Sequence, residues 1–322
     1  MDNISKILNY NYIPLSKPIP ISEQVWPEGT LPIVATATLT YNHESYIGEC
    51  IEGILMQKTT FPVRICIFED CSTDKTVGII KEYEEKYPNL FFVFFQTVNT
   101  WQKSSRQKAF KPYYEARSVA KYVALCEGDD YWIDINKLQK QVDFLEQNPQ
   151  YGGVSTNNKW FLENENTYKD SVLEEGKITF EDLCKSNKIN SQTALFKKDL
   201  INNLDWMKGL KIGDWALHLT VSSQQPYYRL PEITTVYRVH AGGVHSLLKE
   251  EFKIRNRVEV LIAVLNNVNT TNEQKALLRI SIKKLLKQLI GYHSEDIKTT
   301  RKKYFEYGGS VFNKTLLKSY IK

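Results

Sequence analysis

The chain has 322 residues and a formal net charge of +5, with 42% apolar and 25% charged residues. That length holds one large domain or two smaller ones, and the composition excludes a disordered chain as the main class. The longest apolar run near residue 90, Leu90 to Phe95, is far short of the ~20 residues that cross a bilayer, and no cationic start followed by an apolar stretch marks a signal peptide.

Five of the eleven prolines fall in the first 32 residues, so residues 1–30 read as an extended arm with Trp26 as its anchor. From Ile33 the pattern alternates. Ile33–Leu39 suits a buried strand, and Ile47, Ile51, Ile54 and Leu55 follow at helical spacing. Val63–Phe68 is a second strand, Thr73–Lys86 a helix, Leu90–Phe95 a third strand and Tyr122–Cys126 a fourth. A helix with Ile135, Leu138, Val142 and Leu145 on one face ends at Asn148-Pro149. This alternation implies an α/β fold, a mostly parallel sheet with helices on both faces.

Residues 150–246 are more mixed. Gly153–Phe161, Ser191–Phe196 and Ile233–Val239 read as strands and Trp215–Ser222 as a helix. From about Glu250 the pattern turns helical, with Leu278, Ile282, Leu285 and Leu289 sharing a face. Residues 247–322 carry 16 Lys/Arg against 7 Asp/Glu, a net of +9, which fits a solvated surface, a membrane-surface contact or a polyanion site. The five cysteines form no Cys-x-x-Cys pair, which argues against a disulfide framework or zinc ribbon and suits a reducing cytoplasm.

In an open parallel sheet, ligands bind beyond the carboxyl ends of the strands. Thr40-Tyr41-Asn42-His43-Glu44 follows the first strand and Glu69-Asp70-Cys71-Ser72-Thr73-Asp74 ends the second. After the third come Asn99, Trp101 and a basic loop to Lys121, with Lys103, Arg106, Lys108, Lys111 and Arg117 against Glu115 alone. Glu127-Gly128-Asp129-Asp130-Tyr131-Trp132 follows the fourth. Four polar strand ends on one edge make a site. No Gly-x-Gly-x-x-Gly or P-loop pattern cradles a phosphate, so a diphosphate held by these acids needs a divalent cation between. Their hard oxygens favour Mg²⁺ or Mn²⁺.

The order and spacing of three motifs, around Thr40–His43, Glu69–Asp74 and Ala124–Trp132, resemble those of the family 2 inverting glycosyltransferases, whose fold is called GT-A. The match is strongest over residues 31–160 and weaker over 161–246. It implies a GT-A domain over 31–246, with a nucleotide-sugar half (31–149) and an acceptor half (150–246), between the arm and a basic helical region at 247–322. It also implies a nucleoside diphosphate sugar donor, commonly UDP-linked. Asp70 matches the aspartate that hydrogen-bonds the base, and Thr40, Tyr41, Asn42 and Glu44 lie in the loop around it. Asp129 matches the metal-binding aspartate of Asp-x-Asp; Glu127 replaces the first aspartate, with Gly128 between, and reaches a ribose hydroxyl or metal-bound water. Asp130 supports the loop. Tyr131 and Trp132 read as packing residues.

Lys211-Ile212-Gly213-Asp214-Trp215 resembles the family's Glu-Asp-Trp segment, with Gly213 for the glutamate, and gives Asp214 the role of general base. The helix N-terminus is expected to keep Asp214 ionised. Tyr237-Arg238-Val239-His240, with His245-Ser246 beyond, resembles a late Tyr-Arg-x-His segment in which His240 binds metal or diphosphate.

The activity implied is metal-dependent, inverting transfer of a hexose to a hydroxyl of a glycan or lipid-linked glycan. Beside it stand a sugar-phosphate nucleotidyltransferase, which usually opens with a glycine-rich loop missing here, and a silent glycan- or partner-binding protein. No nucleic acid partner is expected. A cytoplasmic place, peripheral contact with the inner face of the membrane through the basic tail and packing of the tail on a second subunit complete the expectations.

Overall fold

The computed structural model describes residues 10–100, 106–201, 204–207, 209–243 and 248–291. The chain forms two compact units. The first comprises Met1–Lys177, Asn190–Leu200 and Tyr227–Val239, the second Ile178–Ile189, Ile201–Pro226 and His240–Lys322.

The first unit contains β1 (Ile19–Pro20), β2 (Val34–Thr40), α1 (Ile47–Leu55), β3 (Lys58–Thr59), β4 (Val63–Glu69), α2 (Thr76–Lys86), β5 (Phe91–Phe95), α3 (Arg106–Ser118), β6 (Tyr122–Leu125), β7 (Tyr131–Trp132), α4 (Lys137–Gln147), β8 (Gly153–Leu162) and β9 (Thr167–Ser171). After β10 (Gly176–Ile178) come β11 (Leu195–Lys197) and β12 (Tyr227–Val239). The main sheet runs β12-β8-β11-β6-β2-β4-β5, with β7 on β12 and β9 on β8. β6, β2, β4 and β5 are mutually parallel, as are β8 and β12. β11 is antiparallel to both β6 and β8, so these two groups point the same way. The carboxyl ends of β2, β4, β5, β6, β8 and β12 therefore share one edge.

Side chains alternate across each strand, and both faces are covered. On one, Ile47, Cys50, Ile51 and Ile54 of α1, Ile80 of α2 and Leu138, Val142 and Leu145 of α4 join Val34, Ile65, Ile67 and Ala124 in one buried cluster. Each large apolar side chain so buried contributes about 1.5–3 kcal/mol. On the other, Phe68 stacks on Phe110 at 3.9 Å and meets Tyr113 edge-on at 5.8 Å.

Those two aromatics belong to α3, which corrects the expected basic loop. Its inner face is Phe110, Tyr113 and Tyr114, at helical spacing, but cations and the mid-helix Pro112 mask the pattern. Lys111 and Arg117 are helix-borne, whereas Trp101 and Lys103 lie outside the described residues.

Other boundaries also move. Ser191–Thr193 is a 3₁₀ turn rather than strand, closed by Thr193 Oγ1 donating to the Asn190 carbonyl at 2.7 Å. Ile135 is 37% exposed and precedes α4. β12 starts at Tyr227, with a register shift across Pro231, which has no N–H for the ladder. The arm does lie along the sheet unit, with β1 pairing β3 and the Leu15 amide donating to the Thr60 carbonyl at 3.0 Å. Its buried anchor, however, is Ile21, fully enclosed in the core cluster. Trp26 instead donates to Gln24 Oε1 at 2.9 Å and packs edge-on to Tyr12.

The second unit contains α5 (Phe180–Lys185), α6 (Gly213–Ser222), α7 (Glu250–Asn267) and α8 (Asn272–Gly291). α8 buries Leu278, Ile282, Leu285 and Leu289, the predicted face. Among the described residues no helix is long and apolar enough to cross a membrane.

Candidate active site

The loops after β2 and β4 are stitched to each other. Asn42 takes a left-handed backbone (φ 53°), and its amide donates to Ser72 Oγ at 2.9 Å while its Oδ1 accepts from the Thr73 amide at 2.8 Å. The Glu44 amide donates to Asp74 Oδ2 at 3.0 Å, and Glu44 Oε2 accepts from the Lys75 amide at 2.9 Å. Buried Glu69 accepts from the amides of Cys71 and Ser72 at 3.1 and 2.7 Å. The side chains of Asn42 and Glu44 thus hold the loop in shape, and Tyr41, 42% exposed, is the member that projects from it.

Asp70 is 6% exposed at this edge. Its Oδ1 accepts both the amide and the hydroxyl of Thr100, each at 2.7 Å. Thr100, itself buried, fixes the carboxylate's orientation. Sequence alone gives Thr100 no role of its own, because the carboxylate that it holds lies 30 residues earlier.

The loop after β6 sits tightly against β2. The Gly128 amide donates to the Leu39 carbonyl at 3.0 Å. A Cβ on Gly128 would lie 2.8 Å from Thr40 Cβ and Oγ1 and 2.9 Å from His43 Nδ1, so only glycine fits. Thr40 Oγ1 is buried there without a hydrogen-bond partner among the described residues. The Cys50 thiol donates to the Glu127 carbonyl at 3.4 Å from below. Glu127 and Asp129 are half-buried on this loop, whereas Asp130 is buried. Burial first, and then the charge of Asp129, push the Asp130 carboxyl well above the usual carboxylate range.

Arg238, on β12, locks that loop. Its amide donates to Asp130 Oδ1 at 2.9 Å and its Nε to the Asp129 carbonyl at 3.0 Å. Its Nη2 pairs with Glu49 on α1. The guanidinium lies over the rings of Tyr46, Tyr131 and Phe161 at 4.8, 5.2 and 5.4 Å. Tyr131 shares a hydrogen bond with the Tyr168 hydroxyl at 3.1 Å, and Trp132 is buried, its Nε1 donating to the Gln192 carbonyl at 3.0 Å. Asp130 therefore does support the loop. The role of Arg238 was not legible beforehand, although the late Tyr-Arg-x-His segment contained it.

Among the described residues no three His, Cys, Asp or Glu side chains gather into a ready ligand set. Glu127 and Asp129 nevertheless offer hard carboxylate oxygens on one loop, whose backbone carbonyl at Asp129 is held by Arg238 Nε. That donor set fits Mg²⁺ or Mn²⁺, which commonly take one or two carboxylates and fill the rest of the shell with water and phosphate oxygens.

In the second unit Asp214 stands in the first turn of α6, which begins at Gly213. Asn187 Nδ2 donates to Asp214 Oδ2 at 3.0 Å. The helix is pinned by Trp215, buried, with Nε1 donating to the Leu183 carbonyl of α5 at 2.9 Å. Burial pushes the Asp214 carboxyl up, against the Trp215 amide and the Asn187 amide that pull it down. Burial thus opposes the amides of the helix N-terminus, which still pull the carboxyl toward its ionised form. His240 is buried and its Nδ1 accepts from the Gly242 amide at 3.3 Å. The two residues expected to hold metal belong to different units, Asp129 to the first and His240 to the second. His245 and Ser246 lie outside the described residues.

Strands ending in loops of this order match a known family model, glycosyl transferase family 2, over residues 37–204. The chain belongs to that family. An uncharacterized protein of Mycobacterium tuberculosis is 31% identical over 255 residues, covering 76% of this chain and 71% of that protein. TuaG of Bacillus subtilis, named for teichuronic acid biosynthesis, is 27% identical over 67% of this chain and 82% of its own. Two solved structures share the fold. TarS residues 1–349 of S. aureus, in complex with UDP-GlcNAc, has a TM-score of 0.60 at 16% identity and covers 83% of this chain and 77% of its own. The mannosyltransferase PcManGT of Pyrobaculum calidifontis, in complex with GDP-Man and Mn²⁺, has a TM-score of 0.57 at 15% identity and covers 94% and 81%. The mixed sheet with flanking helices is the GT-A fold, and the chain is a glycosyltransferase of this family.

Proposed function

We propose that this glycosyltransferase moves a hexose from a nucleoside diphosphate sugar, UDP-linked by preference, to a hydroxyl of a cell-envelope glycan or its lipid-linked precursor, with inversion at the anomeric carbon. The observation that carries the reading is the clamp of Arg238 on the Asp129-Asp130 loop, beside the oriented carboxylate of Asp70, on one sheet edge. Asp70 would accept from the base, with Tyr41 against it. Glu127 and Asp129 would hold the divalent cation, whose charge would offset that developing on the leaving diphosphate. His240 is the proposed further contact to metal or diphosphate. Asp214 would take the proton of the acceptor hydroxyl as that oxygen attacks the face opposite the leaving group, through an oxocarbenium-like state related to that of glycosidases. One displacement inverts the centre, and no protein nucleophile is needed. The acceptor class is supported by the biosynthetic name of TuaG.

A donor screen read by nucleotide release, with Mn²⁺ or Mg²⁺ and then with EDTA, tests the reading. Asp129→Ala is expected to keep the thermal transition and lose metal-dependent turnover. Full turnover by that variant, or by wild type in EDTA, overturns the metal assignment. Absence of turnover with every nucleotide sugar overturns the donor class.

A further inference from the structure

Beyond its first turn, which carries Glu273, the outward face of α8 holds charge of one sign. From Ala276 to Gly291 the helix has four cations, Arg279, Lys283, Lys284 and Lys287, and no acid. At about 100° per residue these four and Ile280 fall within an arc of about 140°, opposite the buried stripe of Leu278, Ile282, Leu285, Leu286 and Leu289. All four cations are exposed, and among the described residues none has an acidic partner within salt-bridge distance. On three other helices a cation does find an acid. Lys111 pairs with Glu115, Lys185 with Glu181 and Arg255 with Glu251, each one turn apart. Amid the α8 cations Ile280 stands 64% exposed.

A face with unpaired cations around a protruding aliphatic side chain is complementary to a surface that is anionic and apolar just beneath. A soluble polyanion uses the charge but gains nothing from Ile280, whereas an anionic bilayer uses both. We infer that α8 docks this protein on an anionic phospholipid surface through Arg279, Lys283, Lys284 and Lys287, with Ile280 entering the headgroup region. The sequence that follows, residues 292–322, adds seven Lys/Arg against three Asp/Glu and so raises the same charge. The inference stands on the second unit alone and is independent of the chemistry proposed above.

Co-sedimentation of the full chain with vesicles of phosphatidylglycerol and phosphatidylcholine, against phosphatidylcholine alone, tests it at low and physiological salt. Binding is expected only with phosphatidylglycerol and weaker at higher salt, as attraction between exposed charges is screened. The quadruple variant Arg279→Gln, Lys283→Gln, Lys284→Gln, Lys287→Gln is expected to bind at least ~10-fold more weakly. Ile280→Ser, which keeps every charge, is expected to lose most of the binding that persists at physiological salt. Both change exposed positions, and an unchanged thermal transition confirms the fold. Absence of binding at either salt, equal binding by the quadruple variant, or equal binding to phosphatidylcholine overturns the inference. So does heparin binding that needs the four cations while vesicle binding is missing, which would make the face a polyanion site.

Discussion

The backbone amide of Arg238 donates to Asp130 Oδ1, and the same residue's Nε donates to the carbonyl of Asp129. One residue near the end of β12 thereby sets both the backbone and the buried acid of a loop more than a hundred residues earlier. The cation is held in turn by Glu49 and three aromatic rings. Arg238→Ala keeps the amide bond to Asp130 but loses the Nε bond to the Asp129 carbonyl and the pair with Glu49, and should weaken binding of nucleoside diphosphate with Mn²⁺ by ~10–100-fold, as loss of an outer-shell partner typically does. Arg238→Lys should be nearly as poor, because a single ammonium cannot serve both Asp129 and Glu49 as the planar fork does. Asp130→Asn keeps an acceptor for the Arg238 amide and should bind nucleoside diphosphate about as tightly as wild type. Unchanged nucleotide affinity in Arg238→Ala would show that the loop holds its shape unaided.

Gly128 tests the closeness of that loop to β2. The missing Cβ would stand 2.8 Å from Thr40 Cβ, an atom fixed on a central strand that cannot rotate away. Gly128→Ala should therefore destabilise the fold by about 1–3 kcal/mol, the usual cost of overpacking. A melting curve superposable on that of wild type would contradict the close approach.

Much of this was legible in the chain. The strand ends at Thr40, Glu69 and Leu125 could be read to within one residue, because a buried parallel strand is a continuous apolar run and its polar exit is abrupt. α3 was hidden because a helix that packs on a sheet through Phe110 and Tyr113 needs few aliphatic residues and spends its other positions on cations. Thr100 and Arg238 were hidden for another reason. Each acts on a partner distant in sequence, Asp70 or Asp129 and Asp130, and no local pattern marks such a pair. The raised Asp214 carboxyl belongs with these, since helix position was visible and burial was not.

Lys137 offers a test of the core under the same loop. It is fully buried, donates to Gln141 Oε1 at 2.8 Å and lies 4.1 Å from the centre of the Trp132 ring. Burial lowers its pKa from 10.5 to about 7. Between these values the unfolded chain binds the proton more fully than the folded one, so stability rises with pH across that window and the whole cost is present below pH 7. Lys137→Met, similar in length and uncharged, should be more stable than wild type by about 1–4 kcal/mol near pH 7. The gap should narrow toward pH 10. Parallel stability-versus-pH curves for the two proteins would rule out Lys137 as the titrating group.

The base assigned to Asp214 makes the sharpest division between binding and chemistry. Asp214→Asn keeps the size, an acceptor for Asn187 and a polar group in the first turn of α6. The raised carboxyl gives the sign of the stability change. Its contribution is fully present below the unfolded pKa and lost as pH rises through the folded one, so at neutral pH the neutral amide should fold at least as well as the charged acid. Nucleoside diphosphate with Mn²⁺ should bind about as tightly as to wild type, because Asp70, Glu127 and Asp129 are untouched. Sugar transfer should fall at least ~100-fold, the lower end of general-base effects. In wild type the rate should climb with pH along a limb lying above the range of an ordinary aspartate, since only the ionised form accepts the acceptor proton, and the Asn variant should lack that limb. Transfer near the wild-type rate would reduce Asp214 to a structural residue of α6. A collapse of nucleotide binding would instead move it to the donor side, and the split between donor and acceptor residues would have to be redrawn.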